Sequence, residues 1–316
     1  MALAPIILFV YNRPDMVEQT LRSLQKNALA AQSELFIYAD GPKADASSEQ
    51  LNKIAEVRKL IRKEQWCGKV NIVEREKNMG LANSVISGVS EMVEKYGRTI
   101  VMEDDIQVSP YFLNYMNDAL DLYEHNEKIL AVASWNYFAS GISCTNDHFF
   151  FRYPDSIAWA TYKRSWSLFE KDAKQAYAKL KEKEKLQAFN GDGHAMYFEN
   201  MLQMQIDGKI NSWAIRWTAT AVLNDMMTVF PKISMSKHLG FGAEATHEKT
   251  EVDYNASLIV SDLKLKLKKA TVIEEDKNAL GKWVEFVKAN FVPAPEKPVT
   301  LMYRIKRKLK HILKLS

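Results

Sequence analysis

Short apolar runs alternate with stretches of helical spacing through the first third of the chain. Ile6 to Tyr11 reads as a buried strand, after which Pro14 and Asp15 open a helix with Val17, Leu21 and Leu24 on one face. The unit then repeats. Leu35 to Ala39 is a second strand, and Ser47 with Gln50 forms a capping box ahead of Leu51, Ile54, Val57 and Ile61. Val70 to Val73 is a third strand, and Leu81, Val85, Val89 and Met92 form a helical stripe that runs into a strand at 99–102. Repeated β-α units predict a parallel, doubly wound sheet with right-handed crossovers. In such sheets ligands sit at the carboxyl ends of the strands. That rule brings Tyr11-Asn12-Arg13, Asp40-Gly41 and Glu103-Asp104-Asp105 to one rim, although they are distant in sequence.

After about residue 130 the repeat fades and aromatic residues crowd in, among them Trp135, Tyr137, Phe149 to Phe151, Tyr153, Trp159, Trp166, Trp213 and Trp217. Mixed strands are expected to finish the sheet there. Lys171 to Lys185 is charged enough to be an exposed helix, and Asn190-Gly191-Asp192-Gly193 reads as a loop. Lys249 to Val292 is polar with helical fragments, and Pro293, Pro295 and Pro298 form a linker. The expected division is a domain over 1–250, whose halves meet near residue 110, then a helical extension and linker over 251–298 and a tail over 299–316.

Composition narrows the class. The 316 residues are 47% hydrophobic, enough for a real core, and the two cysteines, Cys67 and Cys144, fit neither a disulfide scaffold nor a zinc pattern. Met1 to Tyr11 has no basic n-region and is shorter than the ~20 residues that span a bilayer. A cytoplasmic chain is the expectation. Of the net +4, Arg304, Lys306, Arg307, Lys308, Lys310 and Lys314 supply six charges, leaving the rest near −2. As a helix, this tail sets Leu301, Ile305, Leu309, Ile312 and Leu313 beside a basic face, suited to peripheral contact with an anionic membrane over 301–316. No aromatic stacking platform accompanies the charges, so nucleic acid is not an expected partner.

Glu103-Asp104-Asp105 carries the chemistry. Three carboxylates at a strand's end repel one another and must take up a proton or meet a hard divalent cation with a preference for oxygen ligands. A cation there can hold a diphosphate. Arg13, the pair Asp40-Gly41, the pattern Asn78-x-Gly80 opening a helix, and Glu103-Asp104-Asp105-Ile106 with Val108 and Pro110 follow the order found in one enzyme family. Over residues 4–250 the chain resembles the GT-A glycosyltransferases, and its aspartate motif is most similar to that of N-acetylglucosaminyltransferase I and its bacterial family 2-like relatives. Ser134-Trp135-Asn136, Ile157-Ala158-Trp159, Trp166, Pro231 and Thr246-His247 recur in a similar order.

The resemblance implies an α/β GT-A fold, a mostly parallel central sheet with flanking helices, and an enzyme that uses Mn²⁺ or Mg²⁺. It implies transfer of a sugar, with inversion, from a nucleotide-sugar donor such as a UDP-sugar to a glycan or lipid-linked acceptor in surface polysaccharide or lipopolysaccharide biosynthesis. Position by position, it implies that Arg13 and Asp40 contact the nucleotide, Asp40 reading the base, with Asn78 and Gly80 beside it. Asp105 becomes the metal ligand, Asp104 the ribose or sugar contact, Glu103 a supporting acceptor, and His247 a residue closing over metal or diphosphate. Ala214 stands where the resemblance expects a carboxylate base, so that role falls to another group such as Asp192, His194 or Glu199, or proton removal is handled differently. Trp159 and Trp213 are the acceptor-stacking candidates, and Arg216 suits an anionic acceptor or pyrophosphate. Two other readings compete. A sugar nucleotidyltransferase would need a glycine-rich N-terminal loop that this chain lacks, and a catalytically inactive glycan-binding protein would fit the alanine at 214.

Overall fold

A computed structural model describes residues 2–136, 146–239 and 262–290. His247, Tyr137, Cys144, the proline linker and the basic tail lie outside the described residues. In chain order the first half runs β1 (Ile6–Val10), α1 (Pro14–Gln25), β2 (Glu34–Ala39), α2 (Ser48–Leu60), β3 (Lys69–Glu74), α3 (Leu81–Tyr96), β4 (Arg98–Glu103), β5 (Ile106–Val108) and α4 (Phe112–Tyr123). The second half runs β6 (Ile129–Ala133), β7 (His148–Phe151), β8 (Trp159–Tyr162), α5 (Lys163–Trp166), α6 (Ala173–Glu182), α7 (Leu186–Phe189), α8 (Tyr197–Ile206), α9 (Trp213–Leu223), β9 (Met227–Pro231), β10 (Ser236–His238) and α10 (Lys277–Asn290).

Eight strands form one sheet in the order β3-β2-β1-β4-β8-β6-β9-β7, and β10 pairs with β5 in a separate ribbon. β3, β2, β1 and β4 are parallel, as β-α units require, while β8 inserts antiparallel between β4 and β6. Helices cover both faces. Ile6, Leu8 and Val10 of β1 pack with Val17 and Leu21 of α1 and with Phe112 and Met116 of α4. Ile7 and Phe9 point the other way, onto Val85, Val89 and Met92 of α3, beside Trp159 and Trp217. The alternation explains why β1 is apolar at every position: each of its faces is buried.

Local signals account for the helix starts. Pro14 is the first residue of α1, where its missing N–H costs nothing. Ser47 Oγ accepts from the Gln50 backbone while the Gln50 side chain accepts from the Ser47 backbone, so the expected capping box closes α2 at its N-terminus. The charged stretch 171–185 is helical as α6, but it is not wholly exposed, because Ala173, Ala176 and Leu180 bury one face. α10 joins that same cluster through Ala279, Trp283, Val284 and Val287, which pack with Phe151, Phe230 and Leu202. Arg152 ties the segment down, its Nε donating to Glu275 at 2.7 Å and its Nη1 to Asp192 at 2.6 Å. Among the described residues, no helix is long and apolar enough to cross a membrane.

Candidate active site

Pairing of Phe9 with Glu103 and of Val10 with Ala39 aligns the carboxyl ends of β1, β2 and β4. The chain leaving each strand therefore emerges on one rim. Arg13, at the entrance to α1, sets its guanidinium against both aspartates of the motif: Nη2 donates to Asp104 Oδ1, and Nη1 lies 2.8 Å from Asp105 Oδ2. The turn that presents them is pinned from beneath. Thr20 Oγ1 donates to the Asp104 carbonyl at 2.9 Å and accepts from the Ile106 N–H at 3.1 Å, while Ser23 Oγ accepts from Val108 N–H at 3.1 Å. From above, Leu239 N–H donates to the Asp105 carbonyl at 2.6 Å. The β10-β5 pairing sets His238 opposite Ile106, and His238 Nε2 lies 3.3 Å from Asp105 Oδ2.

The electrostatics follow from crowding and burial. Burial, then the neighbouring charges of Asp105 and Asp104, push the Glu103 carboxyl up to about 8, with Arg13 opposing. Asp104 rises to about 6 through burial, a shift that Arg13 holds back. Burial lowers His238 below its ordinary value against the pull of Asp105, so its imidazole is neutral at pH 7. Asp105 Oδ1 is buried without a hydrogen-bond partner. A buried, unpaired carboxylate oxygen is costly unless something positive reaches it.

Asp40 is held differently. Its carboxylate accepts from the N–H groups of Gly41 at 2.9 Å, Met79 at 3.0 Å and Gly80 at 3.1 Å, and from Asn78 Nδ2 at 3.1 Å. The two motifs thus clasp one another. Gly80 sits at φ +74°, a left-handed conformation that favours glycine, and a Cβ on Gly41 would lie 2.5 Å from the Lys77 backbone. Gly41 thus permits the close approach of the β2 end to the chain ahead of α3, and Gly80 supplies the turn into that helix.

Next to the aspartate motif opens a cavity of about 300 Å³, with Glu103 and His238 at one side and Asp155, Trp213, Ala214 and Trp217 among its walls. Tyr197 of α8 and Trp283 of α10 also face it. Trp159 does not line it. Its ring is buried and stacks on Trp213 with centroids 5.0 Å apart. Arg216 turns away as well, donating to the carbonyls of Ser212 at 3.0 Å and Lys171 at 3.1 Å and to Asn211 Oδ1 at 3.1 Å. Asp192 is engaged by Arg152, and Glu199 accepts from the Tyr177 hydroxyl at 3.0 Å and from Asn190 Nδ2 at 2.6 Å. Neither carboxylate is among the residues lining the cavity.

Sequence reasoning passed over two residues, His238 and Asp155. His238 reaches Asp105 only through the long-range β10-β5 pairing, for which the short run Ser236-Lys237-His238 gives no local sign. Asp155 did leave a signal: it is the only acid between Phe149 and Trp166, a stretch otherwise rich in aromatics.

Comparison with known proteins gives the site its context. A family model described as glycosyl transferase family 2 matches residues 6–199. An alpha-1,3-mannosyl-glycoprotein 2-beta-N-acetylglucosaminyltransferase of Arabidopsis thaliana is 24% identical over 144 residues, which is 43% of this chain and 32% of that protein. The alignment thus spans about a third of the relative's length. Among solved structures, TarS 1-349 of S. aureus shares 12% identity at a TM-score of 0.39 over 75% of this chain and 60% of that one. The mannosyltransferase PcManGT of Pyrobaculum calidifontis, in complex with GDP-Man and Mn²⁺, shares 11% identity at a TM-score of 0.35 over 52% of this chain and 45% of that one. Since the family model runs from the first residue of β1 into α8, more than half of the sequence, this protein belongs to glycosyl transferase family 2.

Proposed function

We propose that this protein is a metal-dependent glycosyltransferase that moves a sugar, with inversion, from a UDP-sugar to a glycan or lipid-linked acceptor in surface polysaccharide biosynthesis. The observation that carries this reading is the convergence of Arg13, Asp104, Asp105 and His238 at one sheet rim, with Asp105 Oδ1 buried and unpaired. Among the described residues no three His, Cys, Asp or Glu side chains are grouped to hold a metal by themselves. The fit is that of a substrate-completed site. Mg²⁺ and similar hard cations are commonly held by one or two carboxylates plus substrate phosphates and water. Asp105 would be the anchoring ligand, His238 a nitrogen ligand at its side, and Asp104 a further acceptor facing the sugar or ribose.

The bound cation supplies charge neutralisation to the departing nucleoside diphosphate. This chain's residues do the rest. Arg13, held between two carboxylates, has the fork geometry to bind phosphate oxygens when a diphosphate arrives. Asp40, Asn78 and Gly80 fix the wall of the rim on the nucleotide side. Glu103 and the Trp213 ring border the cavity in which an acceptor would lie. The basic stripe over 301–316 fits an acceptor at an anionic membrane surface.

The test is a panel of nucleotide sugars incubated with the full chain, with Mn²⁺ and with chelator. Release of nucleoside diphosphate from at least one donor, lost on chelation, is expected. Pyrophosphate formed from a triphosphate would favour a nucleotidyltransferase, and glycan binding without turnover of any donor would favour an inactive binding protein.

A further inference from the structure

The cavity beside the aspartate motif contains a carboxylate that neither the sequence motifs nor the metal-site reading uses. Asp155 lies in the segment between β7 and β8. β8 runs antiparallel to β4 with Val101 opposite Trp159, so the residues just before β8 lie at the end of β4, where Glu103 begins the motif. Topology thus delivers Asp155 to the same rim from the second half of the chain.

The side chain is buried, yet Asp155 Oδ2 has no hydrogen-bond partner. Backbone N–H groups of Ser156 and Ile157 hydrogen-bond to the carboxyl group. The segment around it is rigidly set. Ser134 Oγ donates to the carbonyls of Ala158 at 2.5 Å and Ile157 at 3.1 Å, holding Ala158 at φ +46°, a left-handed conformation unfavourable for a residue other than glycine. Strain of this kind persists where the surroundings over-determine it, and it clusters at functional sites. Burial raises the carboxyl to about 8, which makes its conjugate base stronger than a solvated aspartate and brings it near working pH.

Resting on the transfer reading above, we infer that Asp155 is the catalytic base, its Oδ2 taking the proton of the acceptor hydroxyl inside the cavity. The acceptor oxygen forms a bond to the anomeric carbon. The bond from that carbon to the diphosphate oxygen breaks, its electron pair leaves with the nucleoside diphosphate, and the hydroxyl proton passes to Asp155. Asp192 and Glu199 are spoken for by Arg152, Tyr177 and Asn190, whereas Asp155 has an open oxygen facing no protein donor.

Azide separates this role from a structural one, because it attacks carbon without a proton to lose. The wild-type chain and Asp155→Asn, matched by thermal midpoint and circular dichroism, are incubated with the nucleotide-sugar panel and Mn²⁺, in water and with added sodium azide. Release of nucleoside diphosphate to water is expected to fall on the order of 10²-fold or more in Asp155→Asn. With azide the variant should recover to within a few-fold of wild type and yield a glycosyl azide. Unchanged hydrolysis in water overturns the assignment of Asp155 alone, and so does a loss that azide does not relieve. No release by the wild type from any donor overturns the transfer reading and the base together.

Discussion

Asp105→Asn is expected to lower metal-dependent release of nucleoside diphosphate by on the order of 10²–10³-fold, as removal of one well-placed electrostatic group does at other active sites. The substitution keeps shape and removes charge. Asp105 is fixed through its backbone, whose carbonyl accepts from Leu239 N–H at 2.6 Å, so its carboxylate can be altered without releasing the turn. Oδ2 already faces Arg13 and His238, and Oδ1 is buried without a hydrogen-bond partner, the atom the proposed cation would reach. Titrating Mn²⁺ against nucleoside diphosphate release should show weaker apparent metal affinity as well as a lower plateau. An unchanged Mn²⁺ response in Asp105→Asn would remove this residue from the metal site.

The second large effect is on stability rather than turnover. Asp40→Ala would strand the N–H groups of Gly41, Met79 and Gly80, which now share one carboxylate, and would leave Asn78 Nδ2 with only its bond to the Gly41 carbonyl at 3.0 Å. A buried donor left without an acceptor costs about 1–3 kcal/mol, and partial entry of water softens the sum, so a loss on the order of 3 kcal/mol is expected. Equilibrium urea unfolding reads it directly. The midpoint should drop with little change in slope, and Asp40→Asn should recover part of the loss by keeping one acceptor oxygen. Full stability with impaired nucleotide binding would show instead that the carboxylate serves the nucleotide alone.

That contrast marks what the sequence could convey. The β-α units were legible because each is written locally: an unbroken apolar run in β1, the Ser47-Gln50 box, and helical spacing in α3. Their sum also places Arg13, Asp40 and Glu103-Asp104-Asp105 on one rim, as the strand register shows. Partners were harder to read than positions. Asp40 and Asn78 were expected beside the nucleotide, yet nothing in either motif says that one clasps the other across the β2–α3 crevice. Trp159 illustrates the same limit, since an indole expected to stack on an acceptor is buried, stacked on Trp213 and tilted against Trp217. In α6 the lysines and Glu182 masked an inner face built from alanines and one leucine, residues too small or too few to declare a period.

The second half was less legible for a topological reason. β8 enters the sheet antiparallel between β4 and β6, and β10 (Ser236–His238) returns to β5 (Ile106–Val108) from far along the chain, and neither pairing has a local signal. Asp155 and His238 owe their places to those two pairings. Both belong to the cavity wall, and His238 also reaches Asp105, so it joins the cavity to the rim.

Anomalous diffraction from crystals grown with Mn²⁺ and a nucleoside diphosphate addresses the convergence of these segments most directly. A manganese peak is expected at roughly 2–2.5 Å from the Asp105 carboxylate, beside His238 Nε2, with Arg13 turned onto the diphosphate. A bound diphosphate with manganese remote from residues 103–105, or with the Asp105 side chain untouched, would contradict the account.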